Sequence, residues 1–469
     1  NGPGSGDAAV RQVLSRYVVE SLRRNPATNT YLGGAGLDPS LRVVDGTLRD
    51  HSPSALEEED RWLSTTAREL GSIDGATLTD GVRIDRDVAV AQTRFLLRQH
   101  QIRHHQERAV DTYVGEPFRA LDWQLQGLTP TGSGKRGTVD EWGLLTRRVR
   151  AIPAFLAAGQ AQIEAGVKAG RVADRRALER SGIDTAEANA TFFSESLPAL
   201  ANAEIADSAD RPQMLANIRE AGKNAAAAYL RFRDFIAATF FEPGSRTIKA
   251  AYAADRFALG TDEYDWSLRN NLHLDTTASK LYDESWPLVE QTQREMIELA
   301  RSIGQQKNLK LPEGPASVRA VFDQLSRDSP KTDEELLSWY RETSQRLVTY
   351  GRESGLFDLP VDYRLDVLET PPSLQAVSED ASYYPAPPFK GSGVGRFYVS
   401  PTGNDQAALQ SRNRAALAAI AAHEGFPGHD WYFKVLSQSY DAASAVRWLT
   451  PGAVEDSSAM WQDAMAAEG

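Results

Sequence analysis

There is no cysteine anywhere in the 469 residues. That removes disulfide bridges, a thiolate nucleophile and every cysteine-ligated metal site from consideration. Methionine is scarce at four residues and histidine at seven, so a bound transition metal would have to rest on a few imidazoles together with carboxylates. No run of about 18 or more apolar residues occurs, so nothing in the sequence reads as a membrane-spanning helix. A surplus of positive charge is also missing. The 52 basic residues face 64 acidic ones, for a net charge of −12. Nucleic-acid binding, which needs concentrated positive charge to displace counterions from phosphate, is thereby argued against. The chain opens Asn1-Gly2-Pro3-Gly4-Ser5-Gly6-Asp7, with no initiator Met and no charged-then-apolar leader. A targeting peptide is therefore expected to have been removed or never to have existed. Lack of cysteine suits either side of a bacterial membrane. The reading leans to the cytoplasm, with export as the alternative, and leaves the oligomeric state open.

What is present is helical periodicity. Val10, Val13, Leu14, Tyr17, Val18 and Leu22 follow i, i+3, i+4, i+7 spacing and describe one apolar face. Similar faces recur at Trp142, Leu145, Val149 and Ile152, and at Leu288, Met296 and Leu299. Thr332 with Glu335 reads as a capping box ahead of Leu336, Leu337, Tyr340 and Leu347. The texture changes between about Pro371 and Asn404. Tyr383-Tyr384-Pro385-Ala386-Pro387-Pro388-Phe389 is extended because Pro and pre-Pro positions avoid the helical region. Arg396-Phe397-Tyr398-Val399 reads as a short strand, and Asn404 or Asp405 as the cap of a helix running on through Ile420. These features predict a mainly α fold, a single large helical domain over 1–469 with one small β-sheet just before its key helix. Its two lobes would be roughly 1–244 and 245–469, hinged at Phe241 to Gly244.

That key helix ends in His423-Glu424-Gly425-Phe426-Pro427-Gly428-His429. In H-E-x-x-H, two histidines one turn apart hold zinc and the glutamate acts as general base. Here the second histidine comes two residues late. On an unbroken helix His429 would lie about 240° around the axis from His423, on the wrong face. Pro427-Gly428 offers an escape, since proline interrupts the helical ladder and glycine permits unusual dihedrals. Catalytic zinc sites use three protein ligands, two His and one Glu being a standard set; Glu468, on a later helical segment, is the candidate third. The competing reading makes His423 a simple C-terminal cap. A second pair, His100 and His104, has correct i, i+4 spacing, but Gln101 replaces the base and Arg103 adds positive charge. It is read as a solvated helix face. His51 and His273 receive no role.

The stretched motif, preceded by Tyr-Tyr-x-x-Pro-Pro and a glycine-rich Phe-Tyr-Val strand, resembles the bacterial domain of unknown function 885 family, which is grouped with zincin-like metallopeptidases. Asn25-Pro26-Ala27-Thr28, Leu32-Gly33, Leu259-Gly260 and Thr276-Thr277 fit the same resemblance. It implies a two-lobed, zincin-like fold, with His423, His429 and Glu468 as zinc ligands and Glu424 as the base. Glu468-Gly469 matches only the start of the family's next motif, so the C-terminal part of the family's domain is expected to be missing here. The family often has a second His where this chain has Asp430, which could instead orient a ligand imidazole through its ring N–H.

The function expected is that of a zinc-dependent metallopeptidase. Bound Zn²⁺ would lower the pKa of its water to roughly 7 and Glu424 would take the proton as water attacks a carbonyl. Arg396, Tyr398 and Tyr384 are the candidate substrate-binding residues. The strand before the metal helix would align an extended peptide by β-augmentation, a tyrosine would donate to the oxyanion, and Arg396 would bind a carboxylate. The expected partner is a peptide or small amide. A hydrolase of non-peptide amides or esters, or a non-enzymatic helical binding protein with a vestigial site, are the alternatives.

Overall fold

The computed structural model describes residues 4–449 except 133, 259, 273, 361–362, 371–380, 391–394 and 439–441. Helices dominate, with two small sheets among the described residues. The chain divides into two compact units, Asn1–Asp275 with Asp441–Gly469, and Thr276–Tyr440. The division falls about thirty residues beyond the hinge expected at Phe241 to Gly244. Phe241 is instead a buried part of the first unit's core, and its backbone pairs with Ile248 in an isolated bridge.

In the first unit the expected apolar faces are the buried ones. Val10, Val13, Leu14, Tyr17, Val18 and Leu22 are all buried on the helix Asp7–Arg24. The helix Val139–Lys168 opens with a capping box, in which Thr138 accepts from the Glu141 amide and the Glu141 side chain accepts from the Thr138 amide. It buries Trp142, Leu145, Val149 and Ile152 against the helices Val110–Gln126 and Arg211–Phe240. Gly159 lets that helix close on Tyr113, because a Cβ there would meet the ring at 2.5 Å. Arg148 is completely buried within this packing. Its guanidinium donates to the Ala120 carbonyl at 2.9 Å, to Gln124 at 3.0 Å and to Thr30 at 2.8 Å. Burial pushes its pKa down to about 10, so it stays charged at neutral pH. The turn Ala442–Trp448 belongs to this unit: the Gln92 amide donates to the Val446 carbonyl at 3.1 Å, and Arg447 pairs with Asp85.

The second unit carries the histidine motif. Its helix Asp333–Ser354 is capped by Thr332, which accepts from the Glu335 amide at 3.2 Å. The reciprocal half of the expected box is displaced by one residue, since the Glu335 carboxylate takes the Lys331 amide at 2.7 Å. Three strands follow in sequence and form one mixed sheet: Asp366–Glu369, Ala381–Tyr384 and Arg396–Val399. Arg396–Val399 is the central strand, parallel to Asp366–Glu369 on one side and antiparallel to Ala381–Tyr384 on the other. The helix expected to run unbroken from 404 into the motif is two helices, Gln406–Ser411 and Arg414–Glu424. Asn413 breaks it, because its side chain caps the amides of Ala415 and Ala416 at 3.1 Å each. A core of Leu336, Trp339, Tyr340, Val367, Phe397, Val399, Leu417 and Ala421 joins the motif helix, the sheet and the helix Asp333–Ser354.

One expected core face is exposed. On the helix Ala278–Gln306, Leu288 is 63% and Leu299 61% exposed, and Met296 39%. The burial falls instead on Ala300 and Gly304. Gly304 meets Leu311, where a Cβ would come within 2.4 Å of the leucine methyl.

Candidate metal centre

The motif helix keeps its regular ladder up to the Gly425 amide, which donates to the Ala421 carbonyl at 3.1 Å. Gly425 then leaves the helical region at φ −101° and ψ −108°. The next backbone bond reaches back six residues, from the Gly428 amide to the Ala422 carbonyl at 2.9 Å. Only glycine fits there, since a Cβ on Gly428 would stand 1.8 Å from the His423 carbonyl oxygen and 2.4 Å from that of Ala422. A new helix, His429–Gln438, starts immediately afterwards. The Phe426–Pro427 peptide bond within the turn is cis.

Packing fixes this turn. Phe426 is 1% exposed and its ring fills the space that a side chain on Gly351 would occupy, where a Cβ would come within 2.3 Å. Phe357 and Tyr363 meet it edge-on, with centroids 5.3 Å and 5.8 Å away. The Trp431 indole donates to the Asp358 carbonyl at 2.9 Å.

The wide turn brings His423 and His429 together. Their ring centroids are 4.6 Å apart with the planes at 82°. With one ligand atom taken from each of His423, Glu424 and His429, all three lie within 4.8 Å of one another, the single group of this kind among the described residues. His423 Nε2 is 3.9 Å from Glu424 Oε1. The His423 side chain is 65% exposed and that of Glu424 only 16%, so one imidazole faces solvent beside a largely covered carboxylate. The two imidazole nitrogens suit zinc. Two ligands of a tetrahedral ion with bonds of about 2.1 Å stand about 3.4 Å apart, and the 4.8 Å bound on these side chains encloses that spacing. Glu468 lies outside the described residues.

Asp430 follows His429 and is fully buried. The Tyr363 hydroxyl donates to its Oδ2 at 2.6 Å and Lys434 at 2.8 Å. Burial raises its pKa, and Lys434 opposes that shift. The Tyr363 phenol is raised in turn, first by burial and then by the adjacent carboxylate.

The sheet places the expected substrate residues on one face. Side chains alternate along a strand, and directly paired antiparallel residues share a face. Tyr383 pairs with Phe397, and Tyr384 with Arg396. Phe397 packs with Leu417 and Ala421 of the motif helix. Arg396, Tyr398 and Tyr384 therefore occupy the opposite face; Tyr384 and Tyr398 meet there edge-on at 5.5 Å. The motif-side aromatic is Tyr383, whose ring lies nearly parallel to that of His429, 19° between planes and 6.4 Å between centroids. The central strand Arg396–Val399 also has a partner on each side, so it cannot add a peptide strand. Tyr383 was visible in the sequence only as one of an adjacent pair, and register alone separates the two.

The His100 and His104 pair is not a solvated face. The helix carrying His100 ends at Gln101, and His104 lies beyond it in the left-handed region at φ +47°. His100 is buried, with Nδ1 2.7 Å from Asp60. His51 is buried too, its ring edge-on to Tyr113 and Phe155.

The profile of the family described as "Bacterial protein of unknown function (DUF885)" matches residues 26–455. The chain belongs to that family. No curated protein matches it. Among the solved structures that share the fold are these two. One is a presumed lipoprotein of unknown function from Shewanella oneidensis, 17% identical, with a TM-score of 0.62 over 94% of this chain and 77% of that one. The other, a presumed lipoprotein from Colwellia psychrerythraea, is 14% identical, with a TM-score of 0.73 over 98% of this chain and 78% of that one. No helix among the described residues is long and apolar enough to cross a membrane.

Proposed function

We propose that this DUF885 member is a zinc-dependent hydrolase acting on peptide bonds. The observation that carries the reading is the meeting of His423, Glu424 and His429 across a glycine-dependent turn, with their ligand atoms within 4.8 Å of one another. In this reading the two imidazoles hold the ion and Glu468 completes the set. When bound, zinc supplies Lewis acidity towards a carbonyl and towards water. Glu424 is the general base: it takes a proton from the attacking water and returns it to the leaving amine. Its limited exposure keeps the carboxylate largely out of bulk water. Tyr383, beside His429, replaces Tyr384 and Tyr398 as the aromatic nearest the reaction. Export is the location that fits the two structural neighbours, both presumed lipoproteins.

The test is hydrolysis of a mixed peptide library, read by mass spectrometry, by the zinc-loaded parent and by Glu424→Gln. Cleavage by the parent and loss of at least a hundredfold in the variant, with zinc retained, is the expected result. Equal cleavage by both would end the assignment of Glu424. Cleavage of esters or non-peptide amides alone would move the chain to the other hydrolase class.

A further inference from the structure

Behind His429 lies a buried polar cluster that the hydrolytic reading leaves unused. Asp430, 0% exposed, is the second residue of the helix His429–Gln438. It receives Tyr363 at 2.6 Å and Lys434 at 2.8 Å on one oxygen. Lys434, one turn further on, also donates to the Arg364 carbonyl and stands 4.8 Å from the Tyr363 ring centroid. The Tyr383 hydroxyl hydrogen-bonds the same carboxylate. A Cβ on Gly395 would come 1.8 Å from that hydroxyl, so glycine at 395 leaves the space the phenol occupies. The Tyr383 ring then lies against His429 on one side and, at 6.1 Å and 20°, near Phe433.

This arrangement ties three pieces of chain at one carboxylate. Tyr363 comes from the segment just before the strand Asp366–Glu369, Tyr383 from the strand Ala381–Tyr384, and Asp430 from the turn of helix that begins with His429. A carboxylate taken this far from water is a poor source of net stability even when paired. What it supplies is geometry, because each donor must approach it from a set direction.

We infer that Asp430 is a positioning residue for the metal centre, fixing the first turn of the His429 helix and, through Tyr383, the aromatic wall beside the His429 imidazole. The inference rests on the reading that His423 and His429 bind a cation. It differs from an Asp that orients a ligand by accepting its ring N–H: here the carboxylate acts through the backbone of its own helix and through a neighbouring phenol. An imidazole already held in place loses less freedom when it takes up an ion, so affinity depends on the hub.

The experiment uses the full chain with metal alone. Zinc affinity is measured by competition with a chromophoric chelator, and the visible spectrum of the cobalt(II)-substituted protein reports ligand geometry. Parent, Asp430→Asn and Tyr383→Phe are compared, the last keeping the ring and removing only the hydroxyl. The expected result is zinc binding weakened about 10–100-fold in both variants, with an altered cobalt spectrum. Parent affinity and an unchanged spectrum in both folded variants, even with lower melting temperatures, would overturn the positioning role and leave the metal reading standing. If Asp430→Asn does not fold, Tyr383→Phe decides alone. A parent that binds neither metal overturns the metal reading and this inference with it.

Discussion

His423 and His429 are six positions apart, yet their rings meet edge to face with 4.6 Å between centroids. A continuous helix would put them on different sides, so the apposition is produced entirely by the turn from Gly425 to Gly428.

Gly428→Ala puts a methyl where the His423 carbonyl oxygen is 1.8 Å away. The backbone there cannot yield without moving one histidine away from the other. The variant should lose zinc binding by at least tenfold and melt lower, measured by chelator competition and by calorimetry. Full metal affinity in Gly428→Ala would show that the turn is not what pairs the imidazoles.

Phe426→Ala removes a ring that is 1% exposed and packed on Gly351, Phe357 and Tyr363. Truncating a buried aromatic costs about 3–5 kcal/mol through lost burial and the cavity left behind. Denaturant unfolding should show that loss in the second unit's transition. A change under about 1 kcal/mol would mean the turn is held by something else.

The two faces of the small sheet give a contrast. Tyr384→Phe and Tyr398→Phe lie on the face away from the motif helix and should leave zinc affinity within twofold of the parent. Tyr383→Leu removes the ring beside His429 and should weaken it. Isothermal titration of the three variants checks the order, and the reverse order would contradict the face assignment.

Asp122, in the first unit, gives a separate pH dependence. Burial raises its pKa from 3.8 to about 6, while Gln126, donating at 3.1 Å, partly opposes this. Below pH 3.8 both folded and unfolded states carry the proton. Between there and pH 6 the folded state holds it longer, so this group's contribution to stability falls as the pH rises. Above 6 the whole cost of charging a buried carboxylate is present, on the order of 3 kcal/mol. Asp122→Asn should therefore match the parent near pH 3.5 and exceed it in stability above pH 6, by differential scanning calorimetry. A constant difference across that range would place the shift elsewhere.

Much of this architecture could be read from residue patterns because the signals are local. Val10 to Leu22 and Trp142 to Ile152 show a single apolar face each, and both faces are buried. Pro427-Gly428 marked the break, and Gly428 is where the backbone closes on itself. The errors arise where tertiary context decides. Leu288 and Leu299 have core-like spacing, but their helix packs through Ala300 and Gly304. Asn413 looked like a position within a helix, and its side chain caps a new one. Tyr383 and Tyr384 are equivalent in composition; pairing with Phe397 or Arg396 separates them, and register is a long-range property. Likewise Asp430 gave no sign of Tyr363, because that partner lies 67 residues away.

The most direct test of the central claim is zinc stoichiometry of the purified chain by inductively coupled plasma mass spectrometry, for the parent, His423→Ala and His429→Ala. About one equivalent is expected in the parent, with most of it lost in each single variant, since both imidazoles serve one ion. Zinc retained at the parent level in either variant, or none in the parent under saturating metal, would contradict the claim.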